Sequence, residues 1–329
     1  MKSKFRNLFL AFGILAVIIM LFTFDVSYDE LLDNLRRAGF YLPLVLVLWL
    51  FIYLINTLSW YIILRSSGPM NSLSFARLYK FTVSGFALNY VTPVGLMGGE
   101  PYRIMELTPY VGVERATSSV ILYVMMHIFS HFCFWLSSVL IYVFFYPVGW
   151  GMGIVLGLTT LFCLLLVTLF IKGYRNGMAV ACVRLGSHIP FLKNRAVCFA
   201  ELHKEKLETI DSQIALLHQQ RKSTFYSALG LEYTARIVGC LEVWLILNVL
   251  TTDVSFVGCI LIVAFSSLLA NLLFFLPMQL GGREGGFALA VAGLSLSGAY
   301  GVFAALITRV REMVWIVIGL ALMKIGNRR

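Results

Sequence analysis

Nine apolar runs punctuate the chain: Leu8–Phe24, Tyr41–Leu64, Phe81–Met97, Ala116–Tyr146, Met152–Ile171, Ser223–Leu250, Val257–Leu276, Gly285–Ser297 and Tyr300–Met323. Several reach the roughly 20 residues that a helix needs to cross the hydrocarbon of a bilayer. Helix is the simplest structure that pairs every backbone group of such a run away from water. The first run follows Lys2, Lys4 and Arg6 and is succeeded by Asp25-Val-Ser, not by a small-x-small cleavage site, so it reads as a retained first span.

The polar intervals orient the runs, because Lys and Arg accumulate on the cytoplasmic side. Lys2, Lys4 and Arg6 place the N-terminus inside, and Lys324, Arg328 and Arg329 place the C-terminus inside. Residues 25–40 carry four acids against Arg36 and Arg37 and fit outside. Arg65, Arg77 and Lys80 fit inside, as does the segment 172–222, with nine Lys or Arg against four acids. These placements agree only if two runs enter and leave on one side. The stretch 81–99 must open inward, and 257–297 must open outward. The chain then reads as an all-α polytopic membrane protein with about six crossings and two re-entrant half-helix elements in an inverted-topology repeat. It forms a single transmembrane domain, 1–329. The first half is 1–171, with its re-entrant motif at 81–103. A cytoplasmic basic segment, 172–222, follows. The second half is 223–329, with its re-entrant motif at 257–298.

Composition agrees with this class. Sixty percent of the residues are hydrophobic and 13% are charged, about half the charged fraction of a soluble domain. The mean hydropathy is +0.86. A net charge of +10 would suggest nucleic acid in a soluble protein, but here it belongs to cytoplasmic loops, and no nucleic-acid partner is expected. The six cysteines form no C-x-x-C pair and read as small buried hydrophobes.

Two segments carry candidate chemistry: Asn89-Tyr-Val-Thr-Pro-Val-Gly-Leu-Met-Gly-Gly-Glu-Pro-Tyr-Arg103 and Leu276-Pro-Met-Gln-Leu-Gly-Gly-Arg-Glu-Gly-Gly286. In each, a proline (Pro93, Pro277) precedes a Gly-Gly pair (Gly98-Gly99, Gly281-Gly282), and a glutamate (Glu100, Glu284) follows the proline by seven residues. Proline stops a half-helix, and the glycines are expected to let the chain reverse through dihedrals that other residues avoid. A new helix then starts, and its N-terminal N–H groups favour an anion. The glutamate either caps that helix or serves a site.

Arg103, Arg283 and Arg309 fall in or beside apolar runs, where a charge costs at least about 2.5 kcal/mol and is retained for pairing or function. Arg309 and Glu312 share a helix face and are expected to pair, as are Glu232 and Arg236. Arg311 points elsewhere, and Glu242 lies deeper in its run. His127 and His131 share a helix face. Without a nearby acid motif they suit interhelical hydrogen bonding better than metal. No G-x-x-x-x-G-K-[ST] loop occurs, so no ATP motor is expected in this chain. No cofactor is expected either.

The stretch Thr92-Pro-Val-Gly-Leu-Met-Gly-Gly-Glu-Pro-Tyr-Arg103 resembles the signature of the lysylphosphatidylglycerol synthase transmembrane-region family, often called flippase-like. Pro277, the run Gly281–Gly286 and the Arg309-bearing last span resemble that family's C-terminal half. Members that fuse the module to a cytoplasmic domain make an aminoacyl-phosphatidylglycerol, which the membrane part is held to move outward. This chain resembles the stand-alone version without that domain.

The resemblance implies a lipid translocase and not an enzyme, multi-pass in the plasma membrane. Its cargo is a phospholipid or lipid-linked head group. The expected binding residues are Asn89, Pro93, Gly98, Gly99, Glu100, Arg103, Arg236, Pro277, Gly281, Gly282, Arg283, Glu284, Arg309 and Glu312. A homodimer and a separate lipid-modifying enzyme are compatible protein partners. The rival readings are a membrane-embedded transferase acting on lipid-linked substrates, an ion-coupled transporter of a small anion, and a scaffold for an envelope enzyme.

Overall fold

The computed structural model describes residues 36–70, 73–91, 98–176, 205, 208, 211, 212, 222–251, 254–272 and 282–324. The expected first span, Pro93, Pro277, Gly281 and most of segment 172–222 lie outside these residues. The described chain is all-α. Its helices are α1 (Tyr41–Ser66), α2 (Phe75–Val91), α3 (Gly99–Val111), α4 (Val113–Phe145), α5 (Trp150–Asn176), α6 (Lys222–Leu247), α7 (Phe256–Leu272), α8 (Gly282–Ala292) and α9 (Gly298–Leu322).

Local chemistry sets the boundaries that the apolar runs leave open. α2 starts at Phe75, ahead of its apolar run, because the Ser74 hydroxyl accepts the Arg77 N–H at 3.3 Å and so satisfies a first-turn donor. α3 begins at the second motif glycine, with Pro101 in its first turn, where a missing N–H costs nothing. Gly112, at φ 84°, ends α3 by donating its N–H to the Thr108 carbonyl, and α4 follows at once. Arg115 of α4 closes the C-terminal end of α1, donating to Leu64 O, Gly68 O, Pro69 O and Ser67 Oγ at 2.6–2.9 Å.

The elements repeat in order and size. α1 to α4 run 26, 17, 13 and 33 residues, and α6 to α9 run 26, 17, 11 and 25. The packing repeats as well: α1 lies along α6, α2 packs on α9, and α7 packs on α4. Trp49 meets Glu242 near the start of α1, and Ser59 meets the Ala228 carbonyl further along it, so α1 and α6 run antiparallel.

Large apolar side chains face outward, while charged side chains are buried within an otherwise apolar core, unlike a soluble domain. Ile154, Leu158, Leu161, Leu165 and Leu169 of α5 are exposed, as are Val47 and Phe51 of α1 and Val143 and Phe144 of α4. Buried in turn are Asn56, Arg103, Glu232, Glu242, Arg309, Arg311 and Glu312. Helices α1, α4 and residues 150–169 of α5 are long and apolar enough to cross a membrane. α6 and α9, at 26 and 25 residues, are about as long as α1, and Glu232, Glu242, Arg309, Arg311 and Glu312 on them are buried in the bundle. At about 1.5 Å per residue they extend nearly 40 Å, more than the ~30 Å of hydrocarbon.

The motif glycines do a different job from the one their sequence suggests. Among the described glycines only Gly39, Gly68 and Gly112 have positive φ; Gly98, at φ −87°, is ordinary. Gly99 is required by proximity: a Cβ there would lie 2.1 Å from the Gly85 carbonyl oxygen, and one on Gly85 would lie 2.2 Å from Arg103 Nε. α2 and α3 therefore touch backbone to backbone. Gly99→Ala is expected to destabilise the protein by on the order of 3 kcal/mol, because a backbone atom must move. Gly285→Ala, with nothing within 4 Å of the added carbon, should change stability by less than about 0.5 kcal/mol. Thermal unfolding of the two purified variants in detergent compares them.

Candidate functional site

A cavity of about 310 Å³ opens between the helices, at the small end of the range for ligand sites. Its walls come from the long helices: Trp49 and Asn56 of α1, His127 and His131 of α4, Glu232, Arg236 and Glu242 of α6, and Thr308, Arg311 and Glu312 of α9. α2, α7 and α8 contribute Phe86 and Tyr90, Ser266 to Asn271, and Arg283 and Phe287. Three arginines (Arg236, Arg283, Arg311) and three glutamates (Glu232, Glu242, Glu312) line it, so its formal charge balances with neutral histidines.

One wall is a network of paired charges, with Arg311 Nη1 left without a hydrogen-bond partner. Arg311 binds Glu242 through two parallel bonds, Nε to Oε1 at 2.8 Å and Nη2 to Oε2 at 3.0 Å. Trp49 donates its indole N–H to the same carboxylate at 2.8 Å, and its ring lies 3.7 Å from the guanidinium carbon. Glu312 is 3.7 Å from Arg311 Nη1 and accepts directly from Arg283. Planar, two-bonded pairing suits arginine because its fork matches a carboxylate. A turn away, Arg309 Nε binds Glu284 at 3.0 Å. The first turn of α8 is thus tied to α9 twice.

The opposite wall is wired differently. Glu232 does not form its expected pair with Arg236. Its Oε2 lies 2.8 Å from His127 Nδ1 on α4, an interhelical bond of the kind foreseen for this histidine. Arg236 instead donates from Nε to Ser130 Oγ at 2.6 Å and from Nη2 to the His127 carbonyl at 2.5 Å. The side chains run sideways to α4 because α4 packs alongside α6 at this level. Asn56 Oδ1, His131 Nδ1 and Glu232 Oε1 are buried acceptors on this wall without a protein partner.

The first motif forms its own cluster beside the cavity. Asn89 of α2 accepts the Gly99 N–H at 2.7 Å and donates to Glu100 at 2.9 Å, spanning the helix break. Glu100 pairs with Arg103 at 3.3 Å, and Arg103 also donates to the Thr82 carbonyl. Its guanidinium lies 4.7 Å from the Phe86 ring and 5.4 Å from the Tyr123 ring, both within cation–π range. Asn89 thus occupies the helix N-terminus where an anion was expected.

Of the expected site residues, Arg236, Arg283 and Glu312 line the cavity, whereas Asn89, Gly98, Gly99, Glu100, Arg103, Gly282, Glu284 and Arg309 are not among its lining residues. Pro93, Pro277 and Gly281 lie outside the described residues. Trp49, Asn56, His127, His131, Glu232, Glu242 and Arg311 join the site although the motifs do not contain them. Each is polar or amphipathic inside an apolar run, which is the signal that could have found them. Among the described residues, no group of three or more His, Cys, Asp or Glu could hold a metal ion.

The Arg311–Glu242 pair makes a quantitative prediction. Arg311→Met strands a buried carboxylate and should cost about 3–5 kcal/mol. The double variant Arg311→Met/Glu242→Gln should recover most of that loss, because the amide still accepts the Trp49 N–H and carries no charge. A double-mutant cycle on thermal unfolding reads the coupling, and additive losses would deny it.

No curated protein and no solved structure matches the chain. The family described as the lysylphosphatidylglycerol synthase TM region matches residues 8–320. With a match over nearly its whole length, and the helix breaks and buried charges in place, the chain belongs to the lysylphosphatidylglycerol synthase TM region family.

Proposed function

We propose that this membrane protein is a lipid translocase whose cavity receives the phosphate-bearing head group of a membrane lipid, with Arg236 as the anion anchor. The observation that carries the reading is the state of Arg236. Arg103, Arg283, Arg309 and Arg311 each contact a glutamate. Among the described cavity arginines, Arg236 alone hydrogen-bonds only neutral oxygens, those of Ser130 and His127. A guanidinium at the wall of a cavity in mid-bundle, tied to neutral acceptors, retains charge for an incoming phosphate. The family description, the membrane region of a lipid-modifying synthase, supports a lipid as the cargo.

The repeated order of helices and the antiparallel packing of α1 on α6 support an inverted repeat about the cavity. In this reading α2–α3 and α7–α8 are the two re-entrant pairs. Rocking of one half against the other would expose the cavity to each leaflet in turn. The network wall from Trp49 to Arg283 holds the halves together, and the Arg236 wall receives cargo. The protein sits in the plasma membrane with both termini and the basic segment 172–222 in the cytoplasm, and it performs no covalent chemistry.

Purified protein in liposomes holding fluorescent lipids of several head groups tests this by chemical bleaching of the outer leaflet. Bleaching is expected to pass the outer-leaflet share for one head-group class. Arg236→Gln should slow it about ten- to a hundredfold while the protein remains folded, the loss for one charge-assisted contact of about 1.5–3 kcal/mol. Bleaching that stops at the outer leaflet for every lipid, or an unimpaired Arg236→Gln, would remove the reading.

A further inference from the structure

The glutamates of the bundle differ in what holds them. Glu100, Glu242, Glu284 and Glu312 each touch a guanidinium. Arginine does not release its proton inside a protein, so each of these four carboxylates keeps a permanent cation beside it. Glu232 touches an imidazole instead. Its side chain is 1% exposed, its Oε2 lies 2.8 Å from His127 Nδ1, its buried Oε1 has no protein partner, and the residue lines the cavity. His131 stands one turn further along α4, its ring 5.6 Å from that of His127 and its Nδ1 likewise without a partner. A buried carboxylate with an empty oxygen and a titratable neighbour, facing a cavity, is a place for a proton.

We propose that Glu232 and His127 form a proton-binding site in the cavity wall, loaded together with the anionic head group that Arg236 receives. The coupling to cargo rests on the translocase reading above; the proton site rests on its own geometry. His127 joins the two functions: its carbonyl accepts from Arg236 Nη2 at 2.5 Å, while its ring faces Glu232.

The sign of the coupling follows from charge. Arg236 stands one helical turn from Glu232 and opposes protonation of the pair. A phosphate on Arg236 cancels that charge and favours an added proton, so cargo binding draws a proton from water. Reciprocally, cargo binds more tightly as pH falls through the titration of the pair. The loaded cavity then carries one proton with one anion, and release of the proton in the other orientation loosens the cargo.

The surroundings permit this. From α4 the pair faces Tyr123 and His131; behind Tyr123 stand Arg103 and Glu100, already paired. From α6 it faces Arg236 and, further along, Glu242, which is locked by Arg311 of α9. The Glu312 carboxylate is held by Arg283 and Arg311. α1 presents Asn56, α2 Phe86 and Tyr90, and α7 Ser266, Ser267 and Asn271 to the same cavity.

Infrared difference spectroscopy of the purified protein, titrated without lipid, tests the site. A protonated-carboxyl band is expected to grow as pH falls. It should be absent from Glu232→Gln, which keeps a polar partner for His127. In His127→Gln its midpoint should move to higher pH, since the titratable base beside the carboxylate is gone and only Arg236 remains to favour the charged form; a merely structural histidine would leave the midpoint in place. A wild-type spectrum with no such band overturns the proposal.

A pH dye in weakly buffered solution then follows addition of a short-chain lipid of the head-group class that moves in liposomes. One proton taken up per lipid bound, lost in Glu232→Gln, supports the coupling. Binding without proton uptake overturns the coupling and leaves translocation intact. A titrating band in a protein that moves no lipid supports the proton site and removes the translocase reading instead.

Discussion

The bidentate pair between Arg311 and Glu242 is the contact around which the bundle is arranged. Both side chains are buried almost completely at the cavity wall. Because the carboxylate also accepts from Trp49, and Glu312 links Arg311 to Arg283, the network runs from α1 through α6 and α9 to α8. An ion stripped of its partner in a low-dielectric interior costs several kcal/mol, so the network forms as a unit. Its ion pairs lie within the second set of four helices, and the Trp49 indole ties α1 of the first set to them. The cavity is the space that remains beside this network.

That wiring explains why the arginines are unequal. Five guanidiniums approach the interior, yet four spend their charge on glutamates. Three of these pairs fasten one helix to another, Arg283 and Arg309 between α8 and α9 and Arg311 between α9 and α6, whereas Arg103 pairs within α3 and reaches α2 through the Thr82 carbonyl. In lipid, polar contacts and close backbone packing take over from hydrophobic association. Arg236 is fastened by neutral oxygens, and Glu232 by an imidazole. Among the charges that line the cavity, Arg236 and Glu232 lie on one wall and the paired Glu242, Arg283, Arg311 and Glu312 on the other, an arrangement suited to a site that must bind and release.

The helix breaks add a second constraint. A helix that begins within the bundle exposes N–H groups that no water is at hand to satisfy. Asn89 answers for α3, reaching across the break to the Gly99 N–H while holding Glu100. Gly85 and Gly99 let α2 and α3 approach closely enough for that reach. At α8 the first-turn residues Arg283 and Glu284 turn to α9 instead. The two motifs are alike in sequence and different in use.

Much of this was legible in the chain itself. Membrane class, the helical segments and the places of the two breaks follow from apolar runs, glycines and prolines, because these depend on local composition and on backbone groups that must be paired nearby. Buried charge was legible too: Arg283, Arg236 and Glu312 stand out in apolar surroundings and line the cavity. Which partner each charge takes was not legible. Helical spacing suggested Glu232 with Arg236 and Arg309 with Glu312, yet tertiary packing brought His127, Ser130, Arg283 and Glu284 closer, and a side chain on a helix bonds sideways when a neighbouring helix offers better geometry. The glycine role changed for the same reason, since a close crossing of α2 and α3 is a property of two helices together. Sequence determined where charge and helix breaks would lie; tertiary structure decided which charges lock the fold and which remain at the cavity wall.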